Sequence, residues 1–280
     1  IFFTSSIQAE LDNEYGKTKL DAENHLKKLQ ASGDCTLCIF RLTNIFGKWS
    51  RPNYNSVVAT FCNNIASGLP IQIKDQSAEI QLCYVDDVIS RLISLMQGHA
   101  KIETYIDIEP VYTITVGQLA EKIKIFNSSR ESAYIGKIGS GLDKKLYSTF
   151  LSYLRPSRFK YPLIDKVDDR GAFVEIIKNP EIGQFSFFTS KPGVIRGGHY
   201  HDTKVEKFLV VKGWALFSFI NIDTREEVQF TSSEKEYEIV ETIPGWAHNI
   251  KNIGDTELIC FLWANEIFDK NVPDTQPYEM

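Results

Sequence analysis

Between Ile1 and about residue 125, short apolar runs alternate with stretches whose apolar residues recur every three to four positions. "IFFTSS" reads as a strand ending in small hydroxyl residues. "YGKTKLDAENHLKKL" has helical spacing, with Leu20, Leu26 and Leu29 on one side and charges elsewhere. "TLCIFRLTNIFG" reads as a second strand. "SVVATFCNNIASG" predicts a helix closed by Gly68, and the short strand "IQI" follows it. "VDDVISRLISLMQG" predicts a helix with acidic residues in its first turn, where they complement the helix dipole. Strand and helix in alternation predict a parallel sheet with crossover helices.

The texture then changes. "NSSRESAYIGKIGSGLDKKL" is polar and rich in Gly and Ser, and reads as a linker or surface excursion. From about residue 160 the pattern becomes short strands and turns: "FVEIIK", "GQFSFFTS", "FLVVKG", "ALFSFINI", "EEVQFT", "YEIVETIP" and "ELICFLWA". Short strands at close spacing with little helix predict a sandwich or barrel. The expected fold class is α/β plus all-β, with residues 1–155 as the first domain and 156–280 as the second.

Composition narrows the partners. The chain has 280 residues, 43% of them hydrophobic and 24% charged, and a formal net charge of -5. That is globular, and it lacks the basic footprint of a nucleic-acid binder. No apolar run is long enough to span a bilayer, and no signal peptide is visible. The cysteines, Cys35, Cys38, Cys62, Cys83 and Cys260, are odd in number and scattered. The C-x-x-C at Cys35 and Cys38 lies in strand-like sequence, so packing is expected of it rather than redox work, in a reducing, cytoplasmic compartment. Because residue 1 is an isoleucine that opens an apolar strand, a preceding N-terminal segment is expected.

Chemistry concentrates in "GVIRGGHYHDTKVEKFLVVKG", Gly193 to Gly213. Alternate side chains on a strand share a face, so His199 and His201 point the same way. Glu206 follows a turn at "DTK", and His248 comes later in "IPGWAHNIKN". Three imidazoles and a carboxylate suit zinc, iron or manganese. The alternative is four polar residues scattered about a barrel mouth. The spacing of Gly193, His199, His201, Glu206 and Gly213 resembles the first motif of the cupin family. Gly245, His248 and Asn252 resemble its second, with Pro244 one residue closer than the family pattern. The resemblance implies a cupin β-barrel (jelly roll) holding Zn2+ or a similar divalent metal. "DDRGAFVE" with "GVIRGGHYH" further resembles the sugar-nucleotide 3,5-epimerases within the cupins. That implies Arg196 and Arg170 as substrate contacts and His199 as a base, so His199 has two competing roles, ligand and base.

Tyr15 and Lys19 in "YGKTK" are four apart on the predicted helix and share a face. An ammonium beside a phenol favours loss of its proton, which suits a tyrosine to exchange a proton with a carbonyl oxygen. A solvated helix face is the alternative reading of this spacing. Preceded by Ser5 and Ser6 and followed by "RLTNIFG" and "YVDDV", it resembles the extended short-chain dehydrogenase/reductases. The resemblance implies Tyr15, Lys19, Ser6 and Ser5 as catalytic, with Tyr15 and Lys19 also touching a nicotinamide cofactor. It implies Asn44 as a substrate contact. Ile80 stands where that branch often has an arginine, and Arg51 and Lys48 are possible substitutes for its phosphate contact. No Gly-rich dinucleotide fingerprint is present, so the nucleotide-binding half of a partial Rossmann-like domain is expected to lie outside this chain.

A reductase followed by a cupin resembles the CapF-type bifunctional enzymes of capsule and O-antigen synthesis over essentially the whole chain. "TSSIQA", "NYNSVVATFC", "YSTFLSYL", "DDRG", "HDTKVEKFLVV" and "WANEIFDKNVPDT" carry the likeness. The resemblance implies a UDP-2-acetamido-2,6-dideoxy-hexos-4-ulose as substrate, C3 epimerisation by the cupin and C4 reduction with NADPH by the reductase. The product would be UDP-N-acetyl-6-deoxy-talosamine, on the route to UDP-N-acetyl-L-fucosamine, and the protein a homodimer or higher homo-oligomer. Two other readings stand beside it: a reductase whose metal-bound cupin only dimerises, and a non-catalytic sugar-binding fragment.

Overall fold

The computed structural model describes residues 1–33 and 35–280. The chain forms two compact units, Ile1–Asn127 with Lys137–Phe159, and Ser128–Gly136 with Lys160–Met280. No helix among the described residues is long and apolar enough to cross a membrane.

The first unit contains β1 (Phe2–Ser6), α1 (Glu14–Ala31), β2 (Cys38–Leu42), β3 (Asn44–Phe46), α2 (Val57–Ala66), β4 (Glu79–Tyr84), α3 (Val85–Met96) and β5 (Val111–Thr115). Then come α4 (Val116–Ser132), which runs on into the second unit, and α5 (Gly141–Leu151). The expected parallel sheet is split. β1 and β2 pair in parallel, while β3, β4 and β5 form a second sheet in which β5 runs antiparallel. The run "TLCIFRLTNIFG" is therefore two strands in different sheets. "IQI" has no strand partner.

The polar stretch expected to be a linker contains the end of α4 and the start of α5. Tertiary burial overrides its polarity: Leu146 and Phe150 of α5 are fully buried, alongside Leu119, Ala120, Ile123 and Phe126 of α4. Those α4 residues stand at helical spacing, a signal the strand-helix alternation obscured.

Helix α1 departs furthest from its pattern. Leu29, expected on its inner face, is 40% exposed, whereas Glu23 is completely buried. The Glu23 carboxylate accepts hydrogen bonds from the Ser5 hydroxyl (2.5 Å), from Arg41 Nε (3.0 Å) and Nη2 (2.7 Å), and from the Tyr105 hydroxyl (3.0 Å). Burial opposes its ionisation, but the bonds from Arg41, Ser5 and Tyr105 hold its carboxyl below the usual range. Gly16 lets the first turn of α1 lie against the 3-10 turn Ile7–Glu10, because a Cβ there would collide with the carbonyl oxygens of Gln8 and Leu11.

The second unit is built from β6 (Asp165–Asp168), β7 (Gly171–Asn179), β8 (Gly183–Ser190), β9 (Ile195–Tyr200), β10 (Glu206–Lys212) and β11 (Trp214–Asn221). It continues with β12 (Glu227–Ser233), β13 (Ile239–Glu241), β14 (Trp246–Asn252), β15 (Leu258–Ala264) and β16 (Gln276–Pro277). One sheet has the order β13-β10-β15-β8-β7-β6 and the other β12-β11-β14-β9-β16. Alternation along β10 and β15 turns Phe208, Val210, Leu258, Cys260 and Leu262 inward, where they meet Phe217, Phe219 and Ile250 of the other sheet. Burying each such phenylalanine contributes about 1.5–3 kcal/mol. The core leaves one end of the barrel to polar residues.

Removing Glu23 leaves Arg41 without its main partner. Glu23→Ala should destabilise the protein by about 3–5 kcal/mol in urea unfolding followed by circular dichroism. Because the folded carboxyl is held below its ordinary value of 4.5, its contribution is full above that pH and fades as pH falls through the folded value. A Glu23→Ala variant as stable as the parent at neutral pH would refute this account.

Candidate functional site

The polar end of the barrel is assembled by β9, β10, β14 and the loop between β9 and β10. His199 of β9 stands directly opposite His248 of β14. The pairing then slips, because Gly197 faces Asn249 and Gly198 has no opposite number. This is a β-bulge, and both of its glycines have positive φ (99° and 81°). A Cβ on Gly197 would also press on the His248 carbonyl. The Gly-Gly pair thus re-aims the end of β9 so that His199 faces inward. His201 follows in the loop, and Glu206 opens β10 in the opposite sheet.

The four side chains converge. One ligand atom from each of His199, His201, Glu206 and His248 lies within 4.8 Å of every other. Glu206 Oε2 is 3.3 Å from His201 Nε2 and 3.4 Å from His248 Nε2. Burial, with the charge of His248, pushes the His199 imidazole down to about 4. Burial opposes ionisation of Glu206, yet hydrogen bonds from His201 and His248 and the nearby charge of Lys204 hold it well below the usual carboxylate range. The result is one ionised carboxylate ringed by three imidazoles. In addition, His248 Nδ1 is buried with no partner among the described residues. The donor set fits a divalent cation: nitrogen and oxygen ligands in the number that zinc, iron or manganese takes.

These residues open onto a cavity of about 610 Å³. His199, Glu206, His248 and Lys204 line it, as do Asp168, Arg170 and Arg196. The arginines are held in place. Arg170 donates to Asp168 Oδ2 from Nε (2.9 Å) and Nη2 (2.6 Å), and Arg196 donates to the Thr189 carbonyl from Nε (3.1 Å) and Nη2 (2.9 Å). The bond from Arg170 pushes the Asp168 carboxyl down to about 2. Lys204, which the motif reading passed over, is buried with its ammonium 3.5 Å from Glu206 Oε1. A lysine between the His-x-His and the glutamate was its signal.

In the first unit the Tyr-x-x-x-Lys pair forms as spaced. Tyr15 is 53% exposed, and Lys19 Nζ lies 5.7 Å from its ring and 3.3 Å from the Thr4 carbonyl in the middle of β1. The two serines part company. Ser5, expected to be catalytic, is buried and donates its hydroxyl to Glu23. Ser6 is less buried, and its oxygen accepts from Gln8 N (3.2 Å). Asn44 donates its side-chain amide to the Gln81 carbonyl (3.0 Å), joining β3 to β4. Arg51 lies over the Tyr54 ring (5.3 Å), and Lys48 pairs with Asp86 (3.5 Å).

Comparison with known proteins agrees with both halves. Residues 4–109 match the NAD dependent epimerase/dehydratase family, and residues 166–276 match the polysaccharide biosynthesis C-terminal domain. Over 98% of its length the chain is 52% identical to the UDP-2-acetamido-2,6-beta-L-arabino-hexul-4-ose reductase of Pseudomonas aeruginosa, of which it covers 74%. It is 28% identical, over 40% of its length and 81% of the relative's, to the spore coat polysaccharide biosynthesis protein SpsL of Bacillus subtilis. Among solved structures it resembles the capsular polysaccharide assembling protein CapF of Staphylococcus aureus, with 42% identity, a TM-score of 0.92, and coverage of all of this chain and 76% of the other. The fold class read from the sequence stands: a reductase-like α/β part followed by a cupin barrel.

The depressed His199 gives the metal-free protein a definite pH response. Its folded value of about 4 lies below the ordinary 6.5. The site therefore costs no stability above pH 6.5, and stability falls as pH drops from there toward 4. Chelator-treated protein should lose melting temperature across that window, and His199→Gln should lose less. Equal slopes for the two proteins would contradict the assignment.

Proposed function

This chain belongs to the CapF-type family of capsular-polysaccharide enzymes and is a sugar-nucleotide reductase/epimerase of that class, and we propose that its two units act in turn on one carbonyl group. The substrate is a UDP-2-acetamido-2,6-dideoxy-hexos-4-ulose. The barrel inverts C3, and the reductase unit, using NADPH, then reduces C4. The product is UDP-N-acetyl-6-deoxy-talosamine, on the route to UDP-N-acetyl-L-fucosamine. The observation that carries the reading is the barrel cavity, which joins a histidine-carboxylate cluster to two anchored arginines in a volume suited to a sugar and part of its diphosphate.

The chemistry follows from the C4 ketone. A C3 proton lies α to that carbonyl, so a base can remove it and leave an enolate, and return of a proton on the other face inverts C3. His199, kept neutral by burial, has a lone pair free for the C3 proton or for a cation, and the two roles compete for it. Arg196 and Arg170 draw the diphosphate and so fix which end of the sugar meets the histidines. His199, His201, Glu206 and His248 would hold a divalent cation, which supplies Lewis-acid stabilisation of negative charge on a carbonyl oxygen. In the reductase unit the Tyr15 hydroxyl gives its proton to O4; NADPH, held beside Tyr15 and Lys19, would supply the hydride to C4 that completes the reduction of the ketone to an alcohol. Lys19 lies beside Tyr15, and Ser6 is the serine placed to hold the oxygen.

The two activities should separate. In an enzyme carrying the complete cofactor site, Tyr15→Phe removes the proton donor and should slow NADPH oxidation roughly 100- to 10,000-fold, while C3 exchange continues. His199→Ala should abolish C3 exchange and leave C4 reduction of the uninverted ketone. The measurement is a 4-keto UDP-sugar in deuterated water, with exchange followed by NMR and NADPH by absorbance. Loss of C3 exchange in Tyr15→Phe with NADPH oxidation intact would reverse the assignment. Full C3 exchange in His199→Ala would reduce the barrel to a structural module.

A further inference from the structure

The segment after β15 returns to the polar end of the barrel and is stitched to the residues that carry the cluster. β16 pairs antiparallel with β9, setting Gln276 against Tyr200 and Pro277 against His199, and Tyr278 N donates to the Gly198 carbonyl (2.9 Å). Asp274, just before β16, makes two kinds of contact. Its carboxylate accepts four hydrogen bonds from the β9–β10 loop: from the backbone N–H of Asp202 to Oδ1 (2.7 Å), and to Oδ2 from the backbone N–H groups of Thr203 (2.7 Å) and Lys204 (2.7 Å) and from the Thr203 hydroxyl (2.8 Å). Burial opposes its ionisation, yet these donors hold the carboxyl well below the usual range. Its backbone carbonyl meets His201 Nδ1.

A carbonyl oxygen only accepts, so His201 Nδ1 must carry the proton. Nε2, the other ring nitrogen, is then the atom left for the cluster: it lies 3.3 Å from Glu206 Oε2, to which it donates when protonated and beside which it offers its lone pair when a cation takes that proton's place. One residue therefore settles both the tautomer of a ligand and the shape of the loop that separates His199 and His201 from Glu206. Metal-ligating histidines commonly donate their other ring N–H to a carbonyl or a carboxylate, which fixes the ring. Here the carbonyl arrives from the far end of the chain, and nothing in the ligand motif announces it.

We infer that Asp274 is a positioning residue for the metal site: its carbonyl fixes His201 as the Nδ1–H tautomer, and its carboxylate clamps the 202–204 loop so that three of the four ligands arrive in register. The inference rests on the metal reading given above, and it extends that reading to a residue outside the cluster. It also assigns the C-terminal strap of residues 272–278 to the site. His248, on β14, lies outside the clamp.

Two variants of the full chain test it. Asp274→Ala removes all four acceptor contacts, and Asp274→Asn keeps the shape but removes the charge. Zn2+ affinity, measured by competition with a chromogenic chelator at a temperature where circular dichroism shows each variant folded, should fall about 10- to 100-fold for Asp274→Ala and less for Asp274→Asn. Long-range 1H–15N spectra of the metal-free protein should show His201 with Nδ1 protonated; Asp274→Ala keeps the backbone carbonyl but frees the strap that carries it from the 202–204 loop, so the contact and that signature should be lost. A lower melting temperature with unchanged Zn2+ affinity and an unchanged His201 tautomer would show a merely structural residue and overturn the inference. So would a parent protein whose His201 is the Nε2–H tautomer. If the parent binds no Zn2+ yet His201 is Nδ1–H and loses that state in Asp274→Ala, the metal reading fails while the positioning role stands.

Discussion

A carboxylate kept ionised inside a β-barrel has to be met by hydrogen-bond donors and by positive charge, because the desolvation it suffers is otherwise prohibitive. Glu206 is such a group, and much of the second unit's architecture can be traced to it. Two imidazoles approach one of its oxygens and a buried ammonium approaches the other. Those partners come from the facing sheet and from a loop, so the barrel has to close before the carboxylate is compensated. The bulge in β9, the tight β9–β10 loop and the returning C-terminal strap are the means by which the chain brings them there. The three imidazoles gathered there are also the nitrogen donors that a divalent cation would take.

The first unit uses a buried carboxylate differently. Glu23 is satisfied entirely by protein donors, with Arg41 held at two points and the hydroxyls of Ser5 and Tyr105 filling the rest. No lone pair is left pointing into open space for a ligand. The network instead ties α1 to the ends of β1 and β2, and so sets where Tyr15 and Lys19 stand relative to the strand that carries the serines. Glu206 stands among groups that could serve a cation, whereas Glu23 ties its neighbours together. Burial is nearly the same for both, and the completeness of the hydrogen bonding tells them apart.

Under the proposed chemistry the fusion of these units has a simple rationale. The ketone that acidifies C3 for the barrel is the same ketone that accepts hydride in the reductase. Epimerisation is possible only while that ketone survives, and reduction ends it. Placing both activities on one chain lets the inverted ketone be consumed where it is made. The exposure of Tyr15 and the open barrel cavity agree with sites that each receive a diffusing nucleotide sugar.

Much of this was legible in the chain. Helical spacing marks α1, α2 and α3, and alternation marks the strands of the barrel, because these patterns report a local period that any amphipathic element must have. The fixed offsets of Gly193, His199, His201 and Glu206 name ligand candidates, since a hairpin of given length can bring its two ends together in few ways. What the sequence could not decide was every matter of long-range pairing. Thr43 separates two strands that read as one, and α5 forms from polar sequence because its Leu146 and Phe150 reach a core made by other elements. Ser5 and Ser6 look equivalent until Glu23, on a different element, claims one of them. Asp274 looks like a tail residue until β16 pairs with β9. Local periodicity is written residue by residue, but the partner of a buried polar group is chosen only when distant segments meet, and desolvation then enforces that choice.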